Sequence, residues 1–153
     1  MSQKRLNMNW LYKIFGQYKL MSFNDRMKLR QDAKNSLYVY LVSKGAKPTA
    51  ILDGPVDGYT IEQINKEFMP KFADYNKLNL AGNFKVIFKN MRMTNGKYIP
   101  VVCNEKTEDM ANELIKLYPE SKKRAIKEEH IRIGQLLGYD YDLCVRFSEK
   151  IET

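Results

Sequence analysis

The stretch NFKVIFKNMRMTNGKYIPVVCN, residues 83–104, carries the clearest fold signal in this chain. Two runs rich in β-branched and aromatic residues flank the pair Asn95-Gly96, which is typical of a two-residue type I′ hairpin turn. A turn centred on this pair fixes the register of the two strands. One face of the predicted hairpin then holds Phe84, Val86, Phe88, Ile99, Val101 and Cys103.

The other face of this predicted hairpin mixes lysines with apolar and aromatic side chains. It holds Lys85, Ile87, Lys89, Met91, Met93, Tyr98 and Val102. Pro100 has no N–H to donate to a β-ladder, so we expect the second strand to be an edge strand at that point. Residues 84–104 contain four basic residues and no acidic residue, which makes the hairpin the most one-sidedly charged part of the predicted sheet.

A second hairpin is predicted upstream. LYVYLVS, residues 37–43, is rich in β-branched and aromatic residues, and TAILD, residues 49–53, is its expected partner across a turn marked by Gly45 and Pro48. Between the hairpins, Thr60 and Gln63 have the spacing of a capping box and predict a helix, which Pro70 interrupts.

Helices are predicted on both sides of the hairpins. At the N-terminal end, one helix is expected from about Leu6 to Met21, and Ser22 is the expected cap of another that ends at Asn35 and Ser36. At the C-terminal end, three helices are expected: one from Thr107 to a stop at Pro119, one from Ser121 to Gly138, and one from about Asp140.

The pattern predicts an α+β fold in a single domain, with an antiparallel sheet of about four strands, formed by two hairpins, packed against N- and C-terminal helices. Residues 1–34 form the helical N-terminal segment. Residues 37–103 hold the two hairpins and the intervening helix, and residues 106–151 hold the C-terminal helices.

The stretch TAILDGPVDG, residues 49–58, is a candidate metal loop. As a calcium loop starting at Asp53 it places Asp57 and Gly58 correctly, but its third and twelfth positions are Pro55 and Ile64, which offer no side-chain oxygen. A turn between a strand and a helix fits better, because Asp and Gly supply local hydrogen bonds and positive φ. A carboxylate-metal hydrolase that uses Asp53 and Asp57 with Glu62 remains a third hypothesis for the function.

Catalytic and cofactor motifs are otherwise sparse. His130 is the single histidine, on the apolar side of its predicted helix, and Cys144 on the next helix could approach it. One histidine and two cysteines do not supply a standard zinc site, and no phosphate-binding glycine loop is present. We therefore expect no catalytic residue, no metal and no cofactor.

The length and hydropathy of the chain bound its setting. A chain of 153 residues is long enough for one domain with its own core. No apolar run approaches the roughly 20 residues that span a bilayer, and no secretory cleavage site follows the N-terminal segment. Cys103 and Cys144 match no CxxC spacing and are expected to be free thiols. We expect a cytoplasmic protein with no membrane partner, and the sequence does not define its oligomeric state.

The formal net charge of +8 is concentrated in two blocks, since residues 1–34 carry eight basic and two acidic residues and the hairpin carries four basic residues. This favours an anionic partner. We expect a small, basic, non-enzymatic binding protein that docks nucleic acid through the hairpin at 84–104. The expected binding residues are Lys85, Lys89, Arg92, Lys97, Tyr98, Arg26 and Arg30. The alternative is a protein–protein effector or inhibitor, such as a phage-encoded protein, that docks an acidic protein through the same surface.

Overall fold

The computed structural model describes residues 20–73 and 84–150. Within them, three strands form an antiparallel sheet in the order β1-β3-β2, with β1 at Thr49–Ile51, β2 at Val86–Arg92 and β3 at Tyr98–Asn104. Helices pack on both faces of this sheet. The predicted α+β class is therefore confirmed, whereas the expected count of about four strands is too high by one in the described residues.

The strand predicted at 37–43 is the C-terminal end of a helix. Helix α1 spans Phe23–Ser43, so the segment 37–43 continues it and the predicted hairpin with 49–53 is wrong. Its start is as predicted, since the Asp25 N–H donates to the Ser22 hydroxyl over 3.2 Å. Val39 and Val42 lie three residues apart and are fully buried. Their burial on one helical face outweighs the preference of β-branched residues for strands.

The hairpin forms around the predicted Asn95-Gly96 pair, but with a different turn. The Gly96 N–H donates to the Met93 carbonyl over 2.9 Å, and the Met93 N–H donates to the Lys97 carbonyl over 2.8 Å. Gly96 has a φ of +83°, whereas Asn95 does not have the positive φ that a type I′ turn requires at both central residues. The loop therefore contains three residues, Thr94 to Gly96, with glycine in the left-handed region, instead of a type I′ pair.

The extra loop residue shifts the register by one. Arg92 lies opposite Tyr98 and Val86 lies opposite Asn104. Because side chains alternate between the two faces of a strand, this shift moves every side chain of β3 to the face opposite to the predicted one. Tyr98 and Val102 share a face with Val86 and Phe88.

Both faces of the sheet are covered. The first core lies under α1 and the segment 61–72, and it contains Val39, Val42, Ala50, Leu52, Tyr59, Ile64, Phe68, Phe72, Val86 and Val102. The second core lies under two C-terminal helices, and it contains Met91, Val101, Cys103, Ala111, Leu114, Ile133 and Leu136. The β2 part of the predicted mixed face, with Ile87 and Met91, thus packs in the second core under the C-terminal helices, whereas Tyr98 and Val102 lie on the side of the first core.

Pro100 lies in the central strand, so the prediction of an edge strand is wrong. The Leu52 N–H donates to the Pro100 carbonyl over 2.9 Å, and the proline has no N–H to return the bond. The ladder between β1 and β3 ends at this point. The chain leaves the sheet after Leu52 and returns at Tyr59, which forms an isolated antiparallel bridge with Tyr98.

The segment between the strands begins with the predicted capping box. Helix α2, Ile61–Gln63, is capped by reciprocal hydrogen bonds between Thr60 and Gln63. A π-helical turn, Ile64–Phe68, and a 3₁₀ turn, Met69–Phe72, follow it. The predicted interruption at Pro70 is confirmed, since a 3₁₀ turn replaces the α-helix there. A proline lacks the N–H of a helical hydrogen bond, and its ring clashes with the preceding turn.

Three C-terminal helices complete the fold: α3 at Glu108–Arg124, α4 at Lys127–Leu136 and α5 at Tyr141–Glu149. The expected stop at Pro119 is wrong, since α3 continues through this buried proline and ends before Ala125, whose φ is 49°. Gly138 is the C-terminal glycine of α4, as predicted, with a φ of +87°.

The predicted helix at 6–21 lies outside the described residues except for Leu20 and Met21. Within the described ranges, no helix has the length and apolar content needed to cross a membrane.

Candidate functional site: a basic surface at the hairpin end

The loop from Asp53 to Gly58 is a tightly held turn. The Asp53 N–H donates to the Asn35 Oδ1 over 2.8 Å, and the Asn35 Nδ2 donates to the Asp53 carbonyl over 2.9 Å. A Cβ added to Gly54 would lie 2.3 Å from the Tyr59 ring, so this position requires glycine. Gly58 has a φ of +88°. These features agree with a structural turn between β1 and α2.

The carboxylates of this loop do not gather around a common point. The Asp53 carboxylate lies 3.1 Å from the Lys34 ammonium and forms an ion pair with it. In the two described ranges, no group of three or more His, Cys, Asp or Glu side chains is placed to hold a metal ion. The metal-hydrolase hypothesis therefore gains no geometric support from Asp53, Asp57 and Glu62.

His130 and Cys144 line the same apolar cavity of about 330 Å³ between α4 and α5, together with Phe147. The Cys144 Sγ lies 3.8 Å from the Tyr139 carbonyl, to which its thiol can donate. Burial raises the pKa of Cys144. A nucleophilic cysteine needs a lowered pKa, so this environment keeps the thiol protonated.

The part of the hairpin away from the turn has carboxylates beside its predicted binding lysines, with Lys85 just before β2 and Lys89 at the midpoint of β2. The Lys89 ammonium lies 2.9 Å from the Glu108 carboxylate on α3, and its side chain is only 22% exposed. The Lys85 backbone nitrogen lies 3.5 Å from the Glu105 carboxylate. These two acids reduce the positive potential at this end of the hairpin.

Tyr98 does not share a face with the predicted lysines. The corrected register places it on the side of the first core, where it packs against that core and bridges to Tyr59. The predicted nucleic-acid surface requires lysines and Tyr98 on one face, so that phosphates contact the lysines while bases stack on Tyr98. Because Tyr98 is half-buried on the opposite face, it cannot act together with Lys89 in that way.

The turn end of the hairpin has a different environment. An open cleft of about 470 Å³ lies at this end. It is lined by Arg92, the loop residues Thr94 to Gly96, and Pro119 and Glu120 of α3. The loop is held in place, since the Asn95 Nδ2 donates to the Asp57 carbonyl over 2.9 Å and the Lys97 N–H donates to the Asn95 Oδ1 over 3.0 Å.

Helix α3 carries two lysines next to the residues that line this cleft. Residues three and four apart are neighbours on a helix surface, so Lys116 and Lys123 flank the cleft-lining Pro119 and Glu120. Both lysines are exposed. Arg92 lines the cleft and lies opposite Tyr98, so Lys97, the residue before Tyr98, projects from the other face of the hairpin at the same end. We call Arg92, Lys97, Lys116 and Lys123 the hairpin-end surface. Sequence reasoning missed the two helical lysines, because the packing of α3 beside the turn is a tertiary contact.

The remaining predicted residues, Arg26 and Arg30, lie in the N-terminal half of α1. The same half of α1 lines a cleft of about 380 Å³ together with the loop from Asp53 to Val56. Arg26 and Arg30 are not among the residues that line this cleft. The same loop continues to Gly58 and contacts the hairpin turn, since the Asp57 carbonyl accepts the hydrogen bond from Asn95.

Comparisons with models of protein families, with curated proteins and with solved structures found no match to this chain. The function is therefore argued from the hairpin-end surface and its chemistry.

Proposed function

We propose that this chain is a non-enzymatic binding protein that docks nucleic acid on the hairpin end, with Arg92 and Lys97 as its central contacts. The observation that supports this proposal is the group of four cations near an open cleft at the turn, of which Arg92 lines the cleft together with one acid, Glu120. In contrast, the other end of the hairpin has Glu105 and Glu108 beside Lys85 and Lys89.

The chemistry of the hairpin-end surface suits phosphates better than bases. Arginine and lysine neutralise phosphate groups and release their counterions, which makes binding strongly dependent on salt. The backbone positions of these residues are set by a helix and by a turn that hydrogen bonds hold in place. No stacking platform is needed for this mode, and little preference for sequence is expected.

Fluorescence anisotropy with short single- and double-stranded DNA and RNA tests the proposal. The double variant Arg92→Glu with Lys97→Glu should weaken binding at least tenfold. The slope of log K against log salt should become shallower by about 1.4 to 1.8, because each of the two lost phosphate contacts removes about 0.7 to 0.9.

A matched control is Lys66→Glu with Lys106→Glu, which changes the net charge equally at two exposed positions away from the cleft. This control should bind almost as the parent does. Equal losses in both double variants would show a general charge effect and would remove the hairpin end from the proposal.

The same assay distinguishes binding at Arg92 and Lys97 from the binding at Lys85 and Lys89 that the sequence predicts. Lys85→Glu with Lys89→Glu should weaken binding less than the Arg92 and Lys97 variant, because Lys89 is already paired with Glu108. A larger loss in the Lys85 and Lys89 variant would move the contact to the other end of the hairpin. Binding that disappears near physiological salt in the parent would instead favour the alternative, a protein partner with an acidic surface.

A further inference from the structure

Lys47 is the most buried charged residue in the described part of the chain, with 9% of its surface exposed. It lies between α1 and β1, and its ammonium donates to the Leu137 carbonyl at the C-terminal end of α4. The ammonium also lies 4.8 Å from the Tyr139 ring centroid and 5.3 Å from that of Tyr38. These acceptors are all neutral.

The Lys47 side chain lines a cavity of about 230 Å³ near the edge strand β1. Separate parts of the fold meet there: α1, the loop after β1, α3 and the turn between α4 and α5. The polar residues that line the cavity are Lys34, Tyr38, Lys47, Asp53, Tyr118 and Tyr139. We call it the Lys47 cavity.

The charges of the Lys47 cavity do not balance. The hydrogen bond to Asp53 raises the pKa of Lys34, so this pair holds one positive and one negative charge. No carboxylate from the described ranges lies within ion-pair distance of the Lys47 ammonium. The cavity is left with one excess positive charge, and burial lowers the pKa of Lys47.

We propose that the Lys47 cavity binds the oxyanion group, a carboxylate or a phosphate, of a small organic molecule. An ammonium has three donors, and the Leu137 carbonyl uses one of them. An oxyanion can accept from the others and balances the excess charge. The three tyrosines offer ring surfaces for the organic part, and the volume restricts the ligand to one below the size of typical drug molecules.

This inference is independent of nucleic-acid binding, because the Lys47 cavity shares no residue with the hairpin-end surface. Its test uses benzoate and phenyl phosphate as probes in isothermal titration. At least one of them should bind at a single site, and the stronger probe identifies the preferred oxyanion. The double variant Arg92→Glu with Lys97→Glu should bind the probe as the parent does.

Lys47→Met keeps most of the side-chain length without the charge and should weaken probe binding about tenfold or more, as expected for the loss of a charge-assisted hydrogen bond. Lys66→Met is the control at an exposed position and should have no effect. A loss of the same size in Lys66→Met would overturn the assignment to Lys47.

Because Lys47 also caps α4, its substitution can damage the fold, and a second measurement on the parent protein removes this difficulty. Titration of the lysine side chains by nuclear magnetic resonance should show that saturation with the probe raises the pKa of Lys47 towards its ordinary value. An unchanged pKa at saturation, or no saturable binding of either probe with a Kd below about 10 mM, would overturn the proposal.

Discussion

The Asn35 side chain makes the two backbone hydrogen bonds at Asp53 that a neighbouring strand would otherwise make. Its side-chain amide donates to the Asp53 carbonyl and accepts from the Asp53 N–H, just where β1 has left the ladder with β3. The amide is buried, with 3% of the residue exposed. One polar side chain on α1 therefore satisfies both backbone groups at the start of the loop.

We predict that Asn35→Ala lowers the free energy of unfolding by about 2 kcal/mol, because it leaves two backbone groups of Asp53 without their partner. Urea denaturation followed by circular dichroism measures this loss. Ser36→Ala at the next, exposed position of α1 is the control and should change stability by less than about 0.5 kcal/mol. Similar values for the two variants would contradict the role assigned to Asn35.

Cys103 gives a prediction for the dependence of stability on pH. Burial raises the pKa of this thiol from 9.0 to about 11, so the folded state holds its proton more tightly than the unfolded state does. Stability contributed by this group is therefore complete below the unfolded pKa and is lost as the pH rises from about 9 to about 11. Cys103→Ala should show a shallower decline across this window, with a difference of up to about 2 kcal/mol between its ends.

This comparison needs the variant, since lysines and tyrosines also titrate in the same range. Urea midpoints of the parent and of Cys103→Ala, measured at steps between pH 8 and pH 11, provide it. Parallel curves would contradict the assigned thiol environment, whatever the absolute stability of the variant.

At the scale of elements, α1 shows why the segment 37–43 was predicted as a strand. Val39 and Val42 are fully buried, whereas Leu37 and Tyr40 on the outer side are 53% and 49% exposed. A helix that is apolar on both sides has no clear period of 3.6, and β-branched residues then dominate a local reading. Tertiary burial against the sheet, not local preference, determines this element.

The sequence predicts the ends of helices best where the capping hydrogen bonds join residues that are close together in the chain. Ser22 bonds to Asp25, and Thr60 and Gln63 bond to each other, so a few adjacent residues contain the whole interaction. Pro119 is the opposite case. It removes one helical hydrogen bond, but it is buried within α3, and its packing is outside any local pattern.

The turn of the hairpin provides a prediction at this scale. Gly96→Ala should lower the free energy of unfolding by about 1 to 2 kcal/mol, because the residue keeps a φ of +83° and a Cβ is strained there. Nothing lies within 4 Å of the added Cβ, so a steric clash does not contribute. Thermal or urea unfolding measures the loss.

Gly96→Asn separates the backbone cause from other effects, since asparagine tolerates the left-handed region better than alanine does. We expect its loss to be smaller than that of Gly96→Ala. A larger loss for asparagine would show that the conformation of Gly96 is not the reason for its presence.

At the scale of the whole molecule, the net charge of +8 opposes compaction through mutual repulsion. Salt screens this repulsion, so we predict that the melting temperature rises when sodium chloride increases from about 20 to about 200 mM. The double variant Lys66→Glu with Lys106→Glu lowers the formal net charge to +4 and should show a smaller rise. Differential scanning calorimetry measures both, and a fall in melting temperature with salt in the parent would contradict this view of the charge.

The same screening should weaken binding at the hairpin-end surface, so stability and nucleic-acid affinity should respond to salt in opposite directions. This surface also depends on the whole molecule. Arg92 and Lys97 belong to the hairpin, whereas Lys116 and Lys123 come near the cleft because Pro119 and Glu120 of α3 line it. An ion pair also distinguishes the two parts of the hairpin, since Glu108 on α3 binds Lys89, whereas Arg92 lines the turn cleft together with Glu120.

The sequence by itself determined the α+β class, the presence of the hairpin, the capping of α1 and α2 and the glycine that ends α4. These features depend on hydrogen bonds and φ requirements within a few residues. Only the tertiary structure decided that 37–43 is helical, that helices cover both sheet faces, and that Lys47 is buried. The reason is distance along the chain: the Lys47 ammonium meets the carbonyl of Leu137, 90 residues later, and no local pattern contains such a contact.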